Sequence, residues 1–418
     1  MIDVNAYLYY GYLPGREVYT SIFRLQQNIA AQCDYTPVEA AYLLDRVVDE
    51  SLSGVDPPEY YIVPISGGWD SRILLGAALD RFEKWKIRTL TFGVPGQLDY
   101  DIGKNVAREF GIEHVAVDLS AVELEWEDLL NSVKISPWTC IPDSYFNHHS
   151  IRQAASAKDM VLSGFMGDPL TGGHRYPAET RDEAIMEFVK GECRAKNVRL
   201  TEEGYDPLGA LPPLPNNCSI PVGELLDLGV RQARRIAPIV TPLKSWTKWG
   251  AAMGTLTNIG AQVVAPFAHP LWAAYWIKAP KMVKKNQKLY IEMLKQKYPQ
   301  LAALPSKSSL GKNPDSFSYY TAKGLRKIVR GIQKFVPNLK MSSKARLNYL
   351  DYATAFRDRQ DYRRVLERAF HYLESNDVVP WLDLHKLRED HITDNVDNSN
   401  AFLVLIGLAL NLEAGSEI

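Results

Sequence analysis

The chain has 418 residues, 46% of them apolar, with four cysteines and a formal net charge of −1. This length exceeds the roughly 100–150 residues near which single domains cluster, and the near-neutral balance gives no electrostatic case for a nucleic-acid partner. Cys33, Cys140, Cys193 and Cys218 share no CxxC spacing, which argues against a zinc knuckle or a disulfide framework and for reduced thiols in the cytoplasm.

The N-terminus shows no basic-then-apolar signal pattern. Residues 7–25, YLYYGYLPGREVYTSIFRL, mix aromatic and turn residues without a clean period. TPVEAAYLLDRVVDESL, from Thr36, has an N-cap threonine, proline at the first helical position and apolar residues at helical spacing. YYIVPI is a continuous apolar run of the kind a strand buried on both faces takes, and SRILLGAALDRF follows it as a helix. IRTLTFGV and DIGKNVAREFG repeat the strand–helix unit, the second helix closing at Gly111. HVAVDL is a third strand and DMVLSG, from Asp159, a later one. Strands alternating with helices predict an α/β fold with a parallel doubly wound sheet, which binds ligands at the carboxyl ends of its strands.

From about Thr180 the alternation stops. DPLGALPPLPNNCSIP, residues 206–221, reads as an excursion or lid-like loop, and beyond it the patterns are mostly helical with basic clusters such as KAPKMVKKNQK. AFLVLIGLAL, from Ala401, is the longest apolar stretch. It falls short of the roughly 20 residues that span a bilayer and predicts a buried C-terminal helix. The organisation expected is a lead-in over 1–55, an α/β core over 56–180 and a mostly helical part over 181–418.

Chemistry concentrates in SGGWDS, residues 66–71, between the first strand and its helix. Glycine lets a backbone approach an anion closely, and amides at a helix N-terminus point partial positive charge at it. Ser66, Gly67, Gly68 and Ser71 supply amides and hydroxyls. Asp70 would repel a phosphate unless it holds Mg²⁺, which bridges phosphate oxygens and needs only one or two protein carboxylates. The plainer alternative is a glycine turn with Asp70 as a helix cap. No lysine follows the glycines, so the loop is not the GxxxxGK[ST] type, and its adjacent glycines do not match the GxGxxG fingerprint.

The loop resembles the SGGxDS pyrophosphate loop of the PP-loop ATP pyrophosphatases, whose fold is of the adenine nucleotide alpha hydrolase-like type. Within them the chain looks like the synthetase domain of asparagine synthetase. YLYYGYLPGREVYTSIFRL is similar to its lead-in, and TFGVPGQLDYDIGKNVAREFGIEH to its second strand and helix, with Asp99 at an acidic position. VLSGFMGDPLTGGHR resembles SGEGADExxGG, VVAPFAHPLW resembles RVPFLDxxL, NQKLYI resembles KxLLR and LPSKSSLGKNP resembles RxKxGFxxP. The resemblance implies an AMP-forming carbon–nitrogen ligase that uses ATP and Mg²⁺. Ile65, Phe92, Ser163 and Gly164 would line the adenosine pocket, Asp70 and Asp168 would hold magnesium, and Lys288 and Lys307 would meet phosphates and the departing pyrophosphate.

Two departures bear on the substrate. The family's N-terminal glutaminase domain would be missing, because the lead-in follows Met1 and Ile2 at once. Nitrogen would then come from ammonia, a substrate amine, or a separate glutaminase or other biosynthetic partner protein. Phe165 stands where asparagine synthetases have Glu and β-lactam synthetases have Tyr, and phenylalanine transfers no proton. Tyr145, His148, His149, His174 and Glu179 are candidate bases by neighbourhood, although each is also an ordinary structural residue type. Met166, Pro169 and Thr171 replace Gly, Glu and an aromatic, so the acid need not be L-aspartate. Specialised metabolism is the favoured setting, with a small-molecule carboxylate as one partner, no membrane and no nucleic acid, and a homodimer left open. The alternatives are an intramolecular cyclising ligase like β-lactam synthetase, a tRNA-modifying PP-loop enzyme, and a non-catalytic nucleotide-binding relative.

Overall fold

In the computed structural model of the chain, residues 3–14, 33–135, 137–138, 141–173, 180–211, 222–228, 252–255, 261–309, 311, 350–393 and 396–415 are described. Residues 15–32 of the lead-in, most of the proline-rich stretch (212–221), His174, Glu179, Cys140 and Cys218 lie outside them. Cys33 and Cys193 are in no disulfide among the described residues.

The apolar run after Tyr60 forms β1 (Tyr61–Pro64), with Ile62 and Val63 fully buried. The helix Asp70–Leu79 carries the chain to β2 (Ile87–Gly93), and the helix Leu98–Phe110, closed by left-handed Gly111, carries it to β3 (Glu113–Asp118). The helices Trp126–Ile135 and Ile141–Ala154 lead back to β4 (Met160–Leu162). Two further strands, β5 (Ala252–Thr255) and β6 (Gln262–Ala265), complete a six-stranded sheet of order β3-β2-β1-β4-β6-β5. All neighbours pair in parallel except β5 and β6. The expected parallel doubly wound α/β sheet is therefore formed. It extends further along the chain than the sequence pattern does, because β6 is four residues long, ends at Pro266 and has no strand–helix alternation around it.

Side chains alternate across the sheet as the period of two requires. Val63, Met160, Leu162 and Val264 join one apolar cluster with the helices Pro37–Leu52, Asp70–Leu79 and Pro270–Lys278. Ile62, Leu90, Val161 and Val263 join the other, with the helices Trp126–Ile135, Ile141–Ala154, Gln360–Ser375 and Ser399–Glu413. The helix Pro37–Leu52 starts as its sequence predicts, with the Thr36 side chain accepting from the Glu39 amide and Pro37 in the first turn. The helix Ser399–Glu413 is buried along nearly its whole length, which explains an apolar pattern without a polar face. No helix among the described residues is long and apolar enough to cross a membrane.

β1 lies between β2 and β4, so the winding direction of the sheet reverses there. Such a reversal opens a crevice at the carboxyl ends of the strands. The two loops that border it are Ser66–Trp69, after β1, and Ser163–Met166, after β4.

Candidate active site

The first loop is held by its own hydroxyls. The Ser66 amide donates to Ser71 Oγ at 3.2 Å, and the Gly68 amide donates to Ser66 Oγ at 3.2 Å. Asp99, in the first turn of Leu98–Phe110, accepts from the Gly67 amide at 2.9 Å and from Lys307 Nζ at 2.8 Å. The Lys307 amide donates to the Gly67 carbonyl at 2.9 Å, so the lysine lies directly on the loop. Gly67 is required by this approach, since a Cβ there would sit 2.6 Å from Lys307 Cγ. Gly68 differs: a Cβ would find one atom within 4 Å among the described residues, Ser66 Oγ at 3.4 Å. Its bare side faces open space.

Arg72, in the first turn of the helix Asp70–Leu79, is fully buried and brings Lys307 into place. Its guanidinium donates to the carbonyls of Leu301 and Leu304 at 2.9 Å each and to that of Pro305, the turn just before Lys307. Burial lowers its pKa to about 10, still far above neutrality, so it remains a cation with carbonyl partners. Nothing in the motif comparison singles this arginine out.

The second loop turns through Met166, at φ +71°, into the short helix Gly167–Thr171. The Asp168 amide donates to Asp70 Oδ2 at 2.9 Å, which joins the two strand ends. A Cβ on Gly167 would fall 2.2 Å from Asp70 Cγ, so glycine there makes room for the carboxylate. Two residues not singled out from sequence complete the cluster. The Tyr290 hydroxyl donates to Asp70 Oδ1 at 2.7 Å. The Gln287 side-chain amide donates to Asp168 Oδ1 and to Thr171 Oγ1, both at 2.9 Å. Tyr290 is fully buried; that burial and the Asp70 and Asp168 carboxylates push its pKa well above the phenol range and keep it a donor. Asn286 and Gln287 are both left-handed, at φ +57° and +56°, a conformation that costs non-glycine residues roughly 1–2 kcal/mol each.

Ile65, Phe92, Ser163 and Gly164 lie at the carboxyl ends of the adjacent strands β1, β2 and β4. Ile65 is tied to β2, its amide donating to Leu90 O at 2.7 Å and its carbonyl accepting from Thr91 Oγ1 at 2.8 Å. Ser163 donates its amide to Val264 O at 2.8 Å, and its hydroxyl accepts from the Phe165 amide at 3.3 Å. Lys288 opens the helix Lys288–Lys297 and is exposed, between Gln287 and Tyr290 in sequence.

Phe165 is buried in the first apolar cluster with Met166 and Leu170. Of the candidate bases, Tyr145 directs its hydroxyl to the Glu123 carbonyl at 3.5 Å, and burial, aided by Asp128, raises its pKa to about 12. His148 is buried with both ring nitrogens unpartnered, and burial lowers its pKa to about 4. His149 is half-buried and also lowered, chiefly by burial. All three sit on Ile141–Ala154, the helix that packs on β2 and β3.

No group of three or more His, Cys, Asp or Glu among the described residues could hold a metal alone. The Asp70–Asp168 pair could hold a hard cation whose shell is completed by ligand oxygens, the pattern of Mg²⁺ bound with phosphates. The donor set therefore fits that ion. The asparagine synthase family model matches residues 43–384, a span that contains both loops, Gln287, Tyr290 and Lys307. A comparison with curated proteins found no match. By that match the chain belongs to the asparagine synthase family, the ATP-dependent amide synthetases.

Proposed function

We propose that the protein condenses a small-molecule carboxylate with a nitrogen nucleophile through an acyl-adenylate, as an AMP-forming ligase. The observation that carries this reading is the contact between Asp70 and Asp168 across the sheet's reversal, beside a bare-backbone loop overlaid by Lys307. A carboxylate oxygen attacks the α-phosphorus of ATP, the bond to the bridging oxygen breaks and pyrophosphate leaves. The nitrogen then attacks the acyl carbon, gives up a proton and expels AMP. Asp70 and Asp168 would hold Mg²⁺, which neutralises phosphate charge when bound.

The chain's own groups supply the rest. Backbone amides of the first loop and the Ser66 and Ser71 hydroxyls receive the pyrophosphate oxygens. Lys307, and Lys288 from the neighbouring helix, face the charge that develops on the leaving group, where preorganised cations act most strongly. Ile65, Phe92, Ser163 and Gly164 border the adenosine. Phe165 offers no proton acceptor, and His148 at about 4 is mostly uncharged but a weak base. The nucleophile accordingly arrives neutral, as ammonia, as a weakly basic substrate amine, or delivered by a separate glutaminase. The altered residues Met166, Pro169 and Thr171 favour an acid other than L-aspartate and a dedicated biosynthetic role.

The test is release of labelled pyrophosphate from [γ-³²P]ATP against a panel of acids and amines. Asp70→Asn and Asp168→Asn should each cost on the order of a hundred-fold or more, the scale of losing a charge-stabilising group. Conversion of ATP to ADP and phosphate would overturn the proposal.

A further inference from the structure

We infer that the stretch Asn286–Tyr290 is the positioning element of the carboxylate pair, Tyr290 setting Asp70 and Gln287 setting Asp168 so that both face one divalent cation. This rests on the metal role proposed above for the two aspartates. The geometry closes a ring. Tyr290 Oη holds Asp70 Oδ1 at 2.7 Å, the Asp168 amide holds Asp70 Oδ2 at 2.9 Å, and Gln287 Nε2 holds Asp168 Oδ1 at 2.9 Å. Both side-chain donors come from positions three apart in one stretch, so a single element fixes two carboxylates that the chain brings from separate strand ends.

The chemistry of the donors matters as much as their reach. A phenol and an amide are neutral, and they orient a carboxylate without cancelling its charge. Among the described lysines of this stretch, Lys284 is buried against Glu224 at 2.5 Å and Lys288 is exposed. Neutral groups that hydrogen-bond a ligating carboxylate are the outer-shell arrangement that tunes metal sites. The stretch is also locked against sliding. Gly172, at φ +91°, lies so close to the Lys284 carbonyl that a Cβ would come within 2.2 Å of it. The left-handed pair Asn286–Gln287 then swings the glutamine amide onto Asp168 and Thr171.

The experiment uses the full chain with Mn²⁺ as the probe ion and α,β-methylene-ATP as the nucleotide. Free Mn²⁺ is followed by electron paramagnetic resonance, and folding by circular dichroism. Tyr290→Phe and Gln287→Met remove the donors while keeping most of the side-chain volume. Each should stay folded and weaken Mn²⁺ binding by about ten-fold or more, as loss of outer-shell partners does. With ATP in place of the analogue, pyrophosphate release should recover at saturating Mn²⁺, a split that a merely structural role would not produce. Asp70→Asn is the companion measurement. If Asp70→Asn loses Mn²⁺ while the other two variants bind it as the parent does, the positioning role is overturned and the metal reading stands. If Asp70→Asn binds Mn²⁺ normally, the metal reading falls and the positioning role with it. Should Tyr290→Phe fail to fold, Gln287→Met alone decides.

Discussion

Alanine at position 68 separates the stability of the first loop from its service to a ligand. Gly68 is not at positive φ, so the backbone itself admits a side chain. Among the described residues the added methyl meets only Ser66 Oγ at 3.4 Å, an ordinary contact. Replacing glycine at a compatible site stabilises by about 0.4–1 kcal/mol through the unfolded chain, so Gly68→Ala should fold at least as well as the parent. A phosphate bound by this loop would come within about 2.9 Å of its amides, into the space that the methyl takes. Losing one hydrogen bond to a charged group costs about 1.5–3 kcal/mol, or roughly ten- to a hundred-fold in ATP use. The assays are thermal unfolding and pyrophosphate release across ATP concentrations. A folded Gly68→Ala protein with the parent's ATP dependence would refute the idea that this bare backbone serves a nucleotide.

Gly167→Ala is the steric opposite: a Cβ 2.2 Å from Asp70 Cγ forces the carboxylate to move by more than 1 Å. Displacements of that size cost on the order of a hundred-fold in rate, which pyrophosphate release at fixed ATP will show. Arg72→Met leaves the carbonyls of Leu301, Leu304 and Pro305 without their donor; it should destabilise by about 3 kcal/mol or more, read as a lower urea midpoint. His148 makes stability fall in mild acid. Below its ordinary value of 6.5 the unfolded chain binds a proton that the folded one refuses until about 4. The stability present above pH 6.5 is therefore lost as pH falls from 6.5 towards 4, by about 3 kcal/mol for this group. Urea unfolding at pH 7, 5.5 and 4.5 measures this, and His148→Leu should flatten the slope.

Up to β4 the sheet is legible because each strand is an apolar run handed directly to a helix-period segment, and because the glycine loops interrupt the runs at the handover. β6 escapes because three buried residues followed by Pro266 carry no period of their own. The acidic pair is legible as chemistry, since aspartate beside glycine in a phosphate-type loop invites a metal. Its supports are not. Tyr290 lies 220 residues from Asp70 and Gln287 lies 119 from Asp168. Within NQKLYI, charge draws the eye to Lys288, yet the helix break at Asn286–Gln287 turns the neutral neighbours inward and leaves the lysine exposed. Arg72 is hidden for a related reason, because an arginine inside an apolar helix reads as a surface interruption until its carbonyl partners are known.

The two loops divide charge in a way that orders their tasks. On the first, Asp99 binds both the Gly67 amide and the Lys307 ammonium, with Lys307 about 40% exposed. The lysine end of this pair is open to solvent, while the Asp99 end is largely buried. The donors it occupies are the ones an anion would take over. Where the two loops meet, the donors to the Asp70 and Asp168 carboxylates among the described residues include a phenol, a side-chain amide and a backbone amide, all neutral groups. In the function proposed above, an anion-receiving half adjoins a cation-receiving half at the reversal of the sheet, and a nucleotide polyphosphate with its metal would satisfy both at once, where free phosphate or free metal would satisfy one.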